Sequence, residues 1–236
     1  MSDLMSIGSS AVKVYQRSLG TVSNNIANLD SEGYTRRLSS VEELTPRMEA
    51  NAAIGTGSFF SGVERAYDSF LEASVRDAAS ELGEKTKLSV YAKRILDLFG
   101  NDDATLSSAL DDFFASSKNV AADPASLIRR QEMLADAETL ARRFNDLYAQ
   151  MQTIDTESSD DLQGLLSDVN QKLGQLGIVN KELLKKGSLE KQSPDILDQR
   201  DLLLRELSEL LPINVTFDKR GVVKVSGTSS MTSGVL

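Results

Sequence analysis

The chain has 236 residues, 26 Lys plus Arg against 35 Asp plus Glu for a formal net charge of −9, and no His, Cys or Trp. Those absences exclude Ser-His-Asp and Cys-His nucleophilic chemistry, thiolate zinc sites, His metal sites and any disulfide framework. The acidic balance argues against nucleic acid, which requires a positive face, and Arg36-Arg37, Arg129-Arg130, Arg142-Arg143 and Lys185-Lys186 read as isolated, solvated pairs.

No apolar run approaches the ~20 residues of a membrane span, so no membrane insertion is expected. Met1 to Val14 lacks the basic and apolar regions of a secretory signal. Apolar residues make up 40% of the chain and aromatics only 6%. That composition suits helix seams more than aromatic cores and predicts a mainly α, elongated fold with long coiled-coil-like helices.

In chain order, Asp3 to Leu29 carries apolar residues at helical steps: Leu4, Ile7, Ala11, Tyr15, Leu19, Val22, Ile26 and Leu29. Leu4, Tyr15 and Ile26 recur every eleven residues, a period near 3.67 per turn that keeps a stripe on one side of a straight helix. Ser, Gly, Thr and Asn fill the rest of the surface. Such a helix is marginal alone, so the stripe needs a cover, either the remainder of the domain or a partner helix elsewhere. Ser23-Asn24-Asn25-Ile26-Ala27-Asn28 suits a helix end, where Asn side chains bond free carbonyls and Tyr34 folds back over the stripe. Gly33 suits a positive φ, and Tyr34 to Val41 reads as extended chain. Ala50 to Gly62 reads as loop or short strands.

Asp68 is the expected cap of a second helix, striped by Leu71, Val75, Ala78, Leu82, Leu88, Ala92, Ile95 and Phe99 and ending at Gly100. A third begins near Thr105, with Leu106, Leu110, Phe113, Phe114 and Val120. Asp123-Pro124 predicts a new start. Beyond it run Leu127, Leu134, Ala141, Phe144, Tyr148 and Met151, with Leu140, Leu147 and Ile154 on the adjoining edge. The heptad resumes at Leu162 after the acidic Thr156 to Asp161, which is either a kink or one solvated turn. Asp195 to Leu211 predicts a short helix stopped by Pro212. Ile213, Val215 and Phe217 alternate, as do Val223 and Val225 across the turn Asp218 to Gly221, predicting a β-hairpin that begins a further sheet.

Adjacent carboxylates at Asp102-Asp103, Asp111-Asp112 and Asp160-Asp161 point about 100° apart on a helix and so read as surface or caps, not as an acid/base pair. Gly55-Thr56-Gly57 lacks the Lys and helix of a phosphate loop. The reading is of no catalytic residues, no metal and no cofactor.

Ser23-Asn24-Asn25-Ile26-Ala27-Asn28, then Gly33-Tyr34 and Arg36, resembles the segment that flagellar axial proteins of the rod, hook and hook-associated kinds share after their first helix. Arg65, Tyr67, Asp68, Phe70 and Leu71 lead into a long helix, and Asp198-Gln199-Arg200-Asp201 follows Ser193-Pro194. Both stretches are similar to the hook-associated protein 1 family, the hook-filament junction proteins. Asp30-Ser31-Glu32 is more acidic than the family's turn.

The resemblance implies a structural subunit of the bacterial flagellum, secreted through the flagellar export channel without a cleaved signal. It implies an axial-core helix and connecting segment over 1–66, a helical bundle over 67–211 and a truncated outer domain starting at 212–236, with a terminal partner helix expected elsewhere in the subunit. Its implied partners are copies of itself in a ring, the hook protein, the next hook-associated junction protein and a flagellar export chaperone. A hook or rod subunit, and a secreted coiled-coil binding module, are the alternatives.

Overall fold

The computed structural model describes residues 2–49, 52–99 and 106–227. Contacts divide the chain into two compact units, residues 1–81 with 171–236, and residues 82–170. This grouping is a different quantity from the segment boundaries at 66 and 211, and it joins the first of those segments to the last. Gly100, Asp102-Asp103, Thr105 and the residues after Gly227 lie outside the described residues.

In the first unit, α1 (Ser2–Ala27) is followed by the antiparallel pair β1 (Arg37–Glu43) and β4 (Ser58–Arg65), with the small hairpin β2 (Arg47–Glu49) and β3 (Ala52–Ile54) between them. Ser40 pairs with Gly62 but Val41 with Phe60, so Ser61 is the extra residue of a β-bulge. α1 packs on β1 and β4 through the row Ile7, Ser10, Ala11, Val14, Ser18, Thr21 and Asn25, of which Val14 and Thr21 are buried. The expected single stripe is therefore split. Ile7 and Ala11 turn toward the strands, while Leu4, Tyr15, Leu19, Val22, Ile26 and Leu29 stay exposed and are joined by Met5 and Val12. The reason is the spacing. Met5, Val12, Leu19 and Ile26 with Tyr15, Val22 and Leu29 form a 3,4 heptad row, which diverges from an eleven-residue line by the time it reaches Ile7 and Ala11.

Asp68 caps α2 (Ser69–Phe99), its Oδ1 accepting the N–H groups of Phe70 at 2.9 Å and Leu71 at 3.1 Å. The apolar stripe expected on α2 is again the exposed one, because the packed side of its first turns carries Glu72, Ala73 and Arg76. The core of this unit lies where the end of α4 (Leu127–Leu183) meets α5 (Pro194–Leu210) and the hairpin β5 (Ile213–Phe217) and β6 (Val223–Gly227). Leu176, Val179, Leu183, Leu197, Leu203, Leu204, Leu207 and Val223 are its buried apolar residues among the described residues. Asn180 acts as a strand partner: its Oδ1 accepts the Val223 N–H and its Nδ2 donates to the Val223 carbonyl. The buried Gln192 donates to the carbonyls of Leu183 and Arg220 across the loop before α5.

The second unit holds the rest of α2, α3 (Leu106–Ala122) and the first part of α4. Helix α4 starts at Leu127 with Ser126 Oγ accepting the Arg129 N–H, and not at Asp123-Pro124, which form the preceding turn. It runs unbroken through Thr156 to Asp161. That acidic stretch faces α2: Asp161 accepts the Tyr91 hydroxyl at 2.7 Å, and Glu157 pairs with Arg94. Leu140, Leu147 and Ile154 are the half-buried edge of α4, whereas Leu127, Leu134, Phe144, Tyr148 and Met151 are exposed.

Candidate functional site

Three sequence stretches far apart in the chain converge in the first unit. Asp195, Asp198 and Asp201 recur every three residues on α5, so their carboxylates lie along one side of the helix. Against that side come the end of β4 with Arg65 and the start of β1 with Arg37. Arg37 Nη2 donates to Asp195 Oδ1 at 2.8 Å and to Asp198 Oδ2 at 2.7 Å. Arg65 Nη2 donates to Asp201 Oδ2 at 2.6 Å, and its Nε lies 2.8 Å from Asp198 Oδ1, an ion pair too poorly aligned to be a hydrogen bond. Arg200 clamps Asp201 Oδ1 with Nε and Nη2 at 2.8 and 2.6 Å and donates Nη1 to the Gly221 carbonyl.

Each guanidinium also stacks on an aromatic ring, Arg37 on Tyr34, Arg65 on Tyr67 and Arg200 on Phe217, at 4.9, 4.6 and 4.6 Å. Burial in this setting raises the Tyr67 phenol pKa, helped by the charge of Asp201, so the ring carries a neutral hydroxyl. Asp198 and Asp201 are buried, whereas the Asp195 side chain is 84% exposed.

Asn25 ties the helix α1 to this joint. Asn25 Oδ1 accepts both the Tyr34 hydroxyl and the Arg37 N–H at 2.8 Å, and Asn25 Nδ2 donates to the Arg37 carbonyl at 2.9 Å. Asn28 Nδ2 closes the helix end on the Asn24 carbonyl. Gly33, at φ +74, brings the turn so close to α5 that a Cβ would lie 3.0 Å from Leu202 Cβ. The Thr35 N–H donates to Asp198. Tyr34 therefore folds toward the strands and not over the exposed stripe.

Of the residues singled out by sequence, Asn25, Gly33, Tyr34, Arg65, Tyr67, Asp198, Arg200 and Asp201 meet here. Ser23, Asn24, Ala27, Arg36 and Gln199 are exposed, as are Ile26, Phe70 and Leu71, while Asn28 is half-buried and Asp68 serves as a cap. Arg37 was expected on the surface and is 5% exposed. A signal for it lies in the three-residue spacing of the aspartates on α5, which sequence reasoning missed: carboxylates on one side of a helix need cations if that side is covered.

The arrangement is that of a mainly helical structural protein whose buried charges hold its elements to one another. Residues 92–233 match the family model described as the flagellar hook-associated protein FlgK helical domain, and residues 5–35 match that of the flagella basal body rod protein. The chain belongs to the FlgK family of flagellar hook-associated proteins. It is 27% identical over 234 residues to flagellar hook-associated protein 1 of Salmonella typhimurium, covering 98% of this chain and 42% of that protein. It is 25% identical to the Escherichia coli protein of the same name over 96% of this chain and 42% of that one. With its Bacillus subtilis namesake it shares 28% identity over 94% of this chain and 46% of that protein. The chain thus spans less than half the length of the curated relatives it matches. Among the described residues no helix is long and apolar enough to cross a membrane.

Proposed function

We propose that this chain is the front portion of a secreted, non-enzymatic subunit at the flagellar hook-filament junction. In this reading it packs beside copies of itself in a ring, between the hook protein and the next hook-associated protein, after escort by an export chaperone. Residues 1–66 form the axial-core part, 67–211 the helical bundle and 212–236 the opening of an outer domain. The observation that carries the reading is α1 itself: Tyr15, Leu19, Val22 and Ile26 are 51–75% exposed on a helix held from its other side by strands and by Asn25. At about 25 cal/mol per Å² of apolar area, lateral cover of such a seam supplies the stabilisation that assembly needs.

The match of residues 5–35 to a rod protein supports a second reading, a rod or hook subunit. Substituting Ile26→Asp or Tyr15→Asp at the chromosomal locus and imaging isolated hook–basal bodies with immunogold tests both. We expect a wild-type band at the hook-filament boundary and loss of incorporation in the variants, with helicity of the 68–211 bundle retained. Label along the hook or rod favours the second reading, and normal incorporation of both variants removes the seam's role.

A further inference from the structure

Beyond the aspartate joint, three more charges meet in the first unit. Glu72 and Arg76 stand one turn apart on α2, and Arg205 projects from α5. Arg205 Nη2 alone reaches both Glu72 oxygens, at 2.9 and 3.2 Å, while Arg205 Nε is enclosed without an acceptor. Arg76 is 8% exposed, and its Nη1 is likewise enclosed without an acceptor among the described residues. Each guanidinium keeps one enclosed donor without an acceptor, and the Glu72 carboxylate is taken by Arg205.

Glu at position i and a cation at i+4 is the favourable order for a pair within one helix, so Glu72 can reach Arg76 by side-chain rotation alone. The two arginines differ in what each loses when left out. Arg76 is the more buried of the two, and a buried charge left without a partner is strongly unfavourable. The Arg205 side chain is 35% exposed, so once released it is hydrated. The pairing that is formed therefore leaves the more buried arginine without the carboxylate, a cost that the alternative pairing removes.

We propose that Glu72 is an exchangeable latch. Paired with Arg205 it ties α5 to α2; paired with Arg76 it becomes an intrahelical contact and releases α5 at that point. Arg205 follows Asp198 and Asp201 along one side of α5, at steps of three and four, so the release acts on the same bar that holds Arg37 and Arg65. The device is intrinsic to this unit and does not depend on the flagellar reading.

Thermal unfolding of the 236-residue chain tests it with Arg76→Met in the wild-type and in the Arg205→Met background. In the wild type, replacing an unpaired buried charge with an apolar stem leaves Tm level or raises it. In Arg205→Met, where Arg76 has become the partner of Glu72, the same substitution lowers Tm by several degrees. An equal change in both backgrounds means that Arg76 acts by packing alone and overturns the latch. If Arg205→Met does not fold, the arginine Nε–Hε resonances of the unmodified chain decide. Exchange broadening of both Arg76 and Arg205 that disappears in Glu72→Gln is expected, and sharp single lines for both overturn it.

Discussion

α5 and α1 lie in the same compact unit and place their side chains in opposite ways. α5 buries eight of its 17 residues, and Asp198, Arg200 and Asp201 are among them. α1 buries Val14 and Thr21 among residues 4–27, while Leu4, Met5, Val12, Tyr15, Leu19, Val22 and Ile26 remain exposed. One helix hides charges and the other displays hydrocarbon, each against the ordinary rule. An amphipathic pattern thus says that a face exists, whereas polar anchors such as Asn25 decide which face is covered.

The largest effect is expected within the joint. Asp198→Ala leaves Arg37 and Arg65 buried with less compensation, and should cost about 3–5 kcal/mol in urea unfolding. Asp195→Ala removes the other carboxylate on Arg37 but from an 84% exposed position, and should cost about 0–1 kcal/mol. Equal losses would erase the distinction between the buried and the rim aspartate. The apolar counterpart is next in size: Leu207→Ala, at 1% exposure, should cost about 2–5 kcal/mol. Leu19→Ala on α1, at 66% exposure, should stay within about 0.5 kcal/mol of wild type in the isolated chain. A large loss at Leu19 would mean that the α1 seam is covered by this chain itself.

Helix ends were legible where caps and breakers act locally, at Asp68 before α2 and Pro212 after α5, whereas Asp123-Pro124 forms a turn ahead of α4 and α5 takes in Pro194, one residue before the expected start. The β-hairpin after Pro212 was legible for the same reason, from alternation and a turn. The identity of packed faces was not. On the first turns of α2 the apolar residues are outside and Glu72 and Arg76 are inside, an inversion that goes with the pairing of Glu72 to Arg205 of α5. The joint was half legible. The resemblance selected Arg65, Asp198 and Asp201, yet it selected exposed Arg36 where Arg37 carries the ion pairs. In an extended segment neighbouring residues point to opposite sides, and which of the two faces α5 depends on the register with β4, where Arg37 pairs with Arg65.

The smallest effect separates a buried carboxylate joint from an exposed carboxylate turn. Asp218 organises the β5–β6 turn, its Oδ1 accepting the N–H groups of Arg220 and Val222 at 2.8 and 2.9 Å. Partial desolvation pushes its carboxyl pKa up, but those two N–H bonds and the Arg220 guanidinium outweigh it and hold the group below the usual aspartate range. A carboxylate depressed in the folded state contributes stability that is complete above the unfolded pKa and is lost as pH falls through the lower folded value. The side-chain carboxyl carbon of Asp218 should therefore titrate below the roughly 3.9 of a free aspartate, with the Arg220 and Val222 amide shifts moving at the same midpoint. Replacing Asp218 with Asn should abolish that midpoint and leave the aspartate joint intact, because the joint is held by Arg37, Arg65 and Arg200 and bonds this turn at the Gly221 carbonyl, not at Asp218. A midpoint at or above the free value would place the turn's order in the backbone of Gly221, at φ +81, and not in the Asp218 carboxylate.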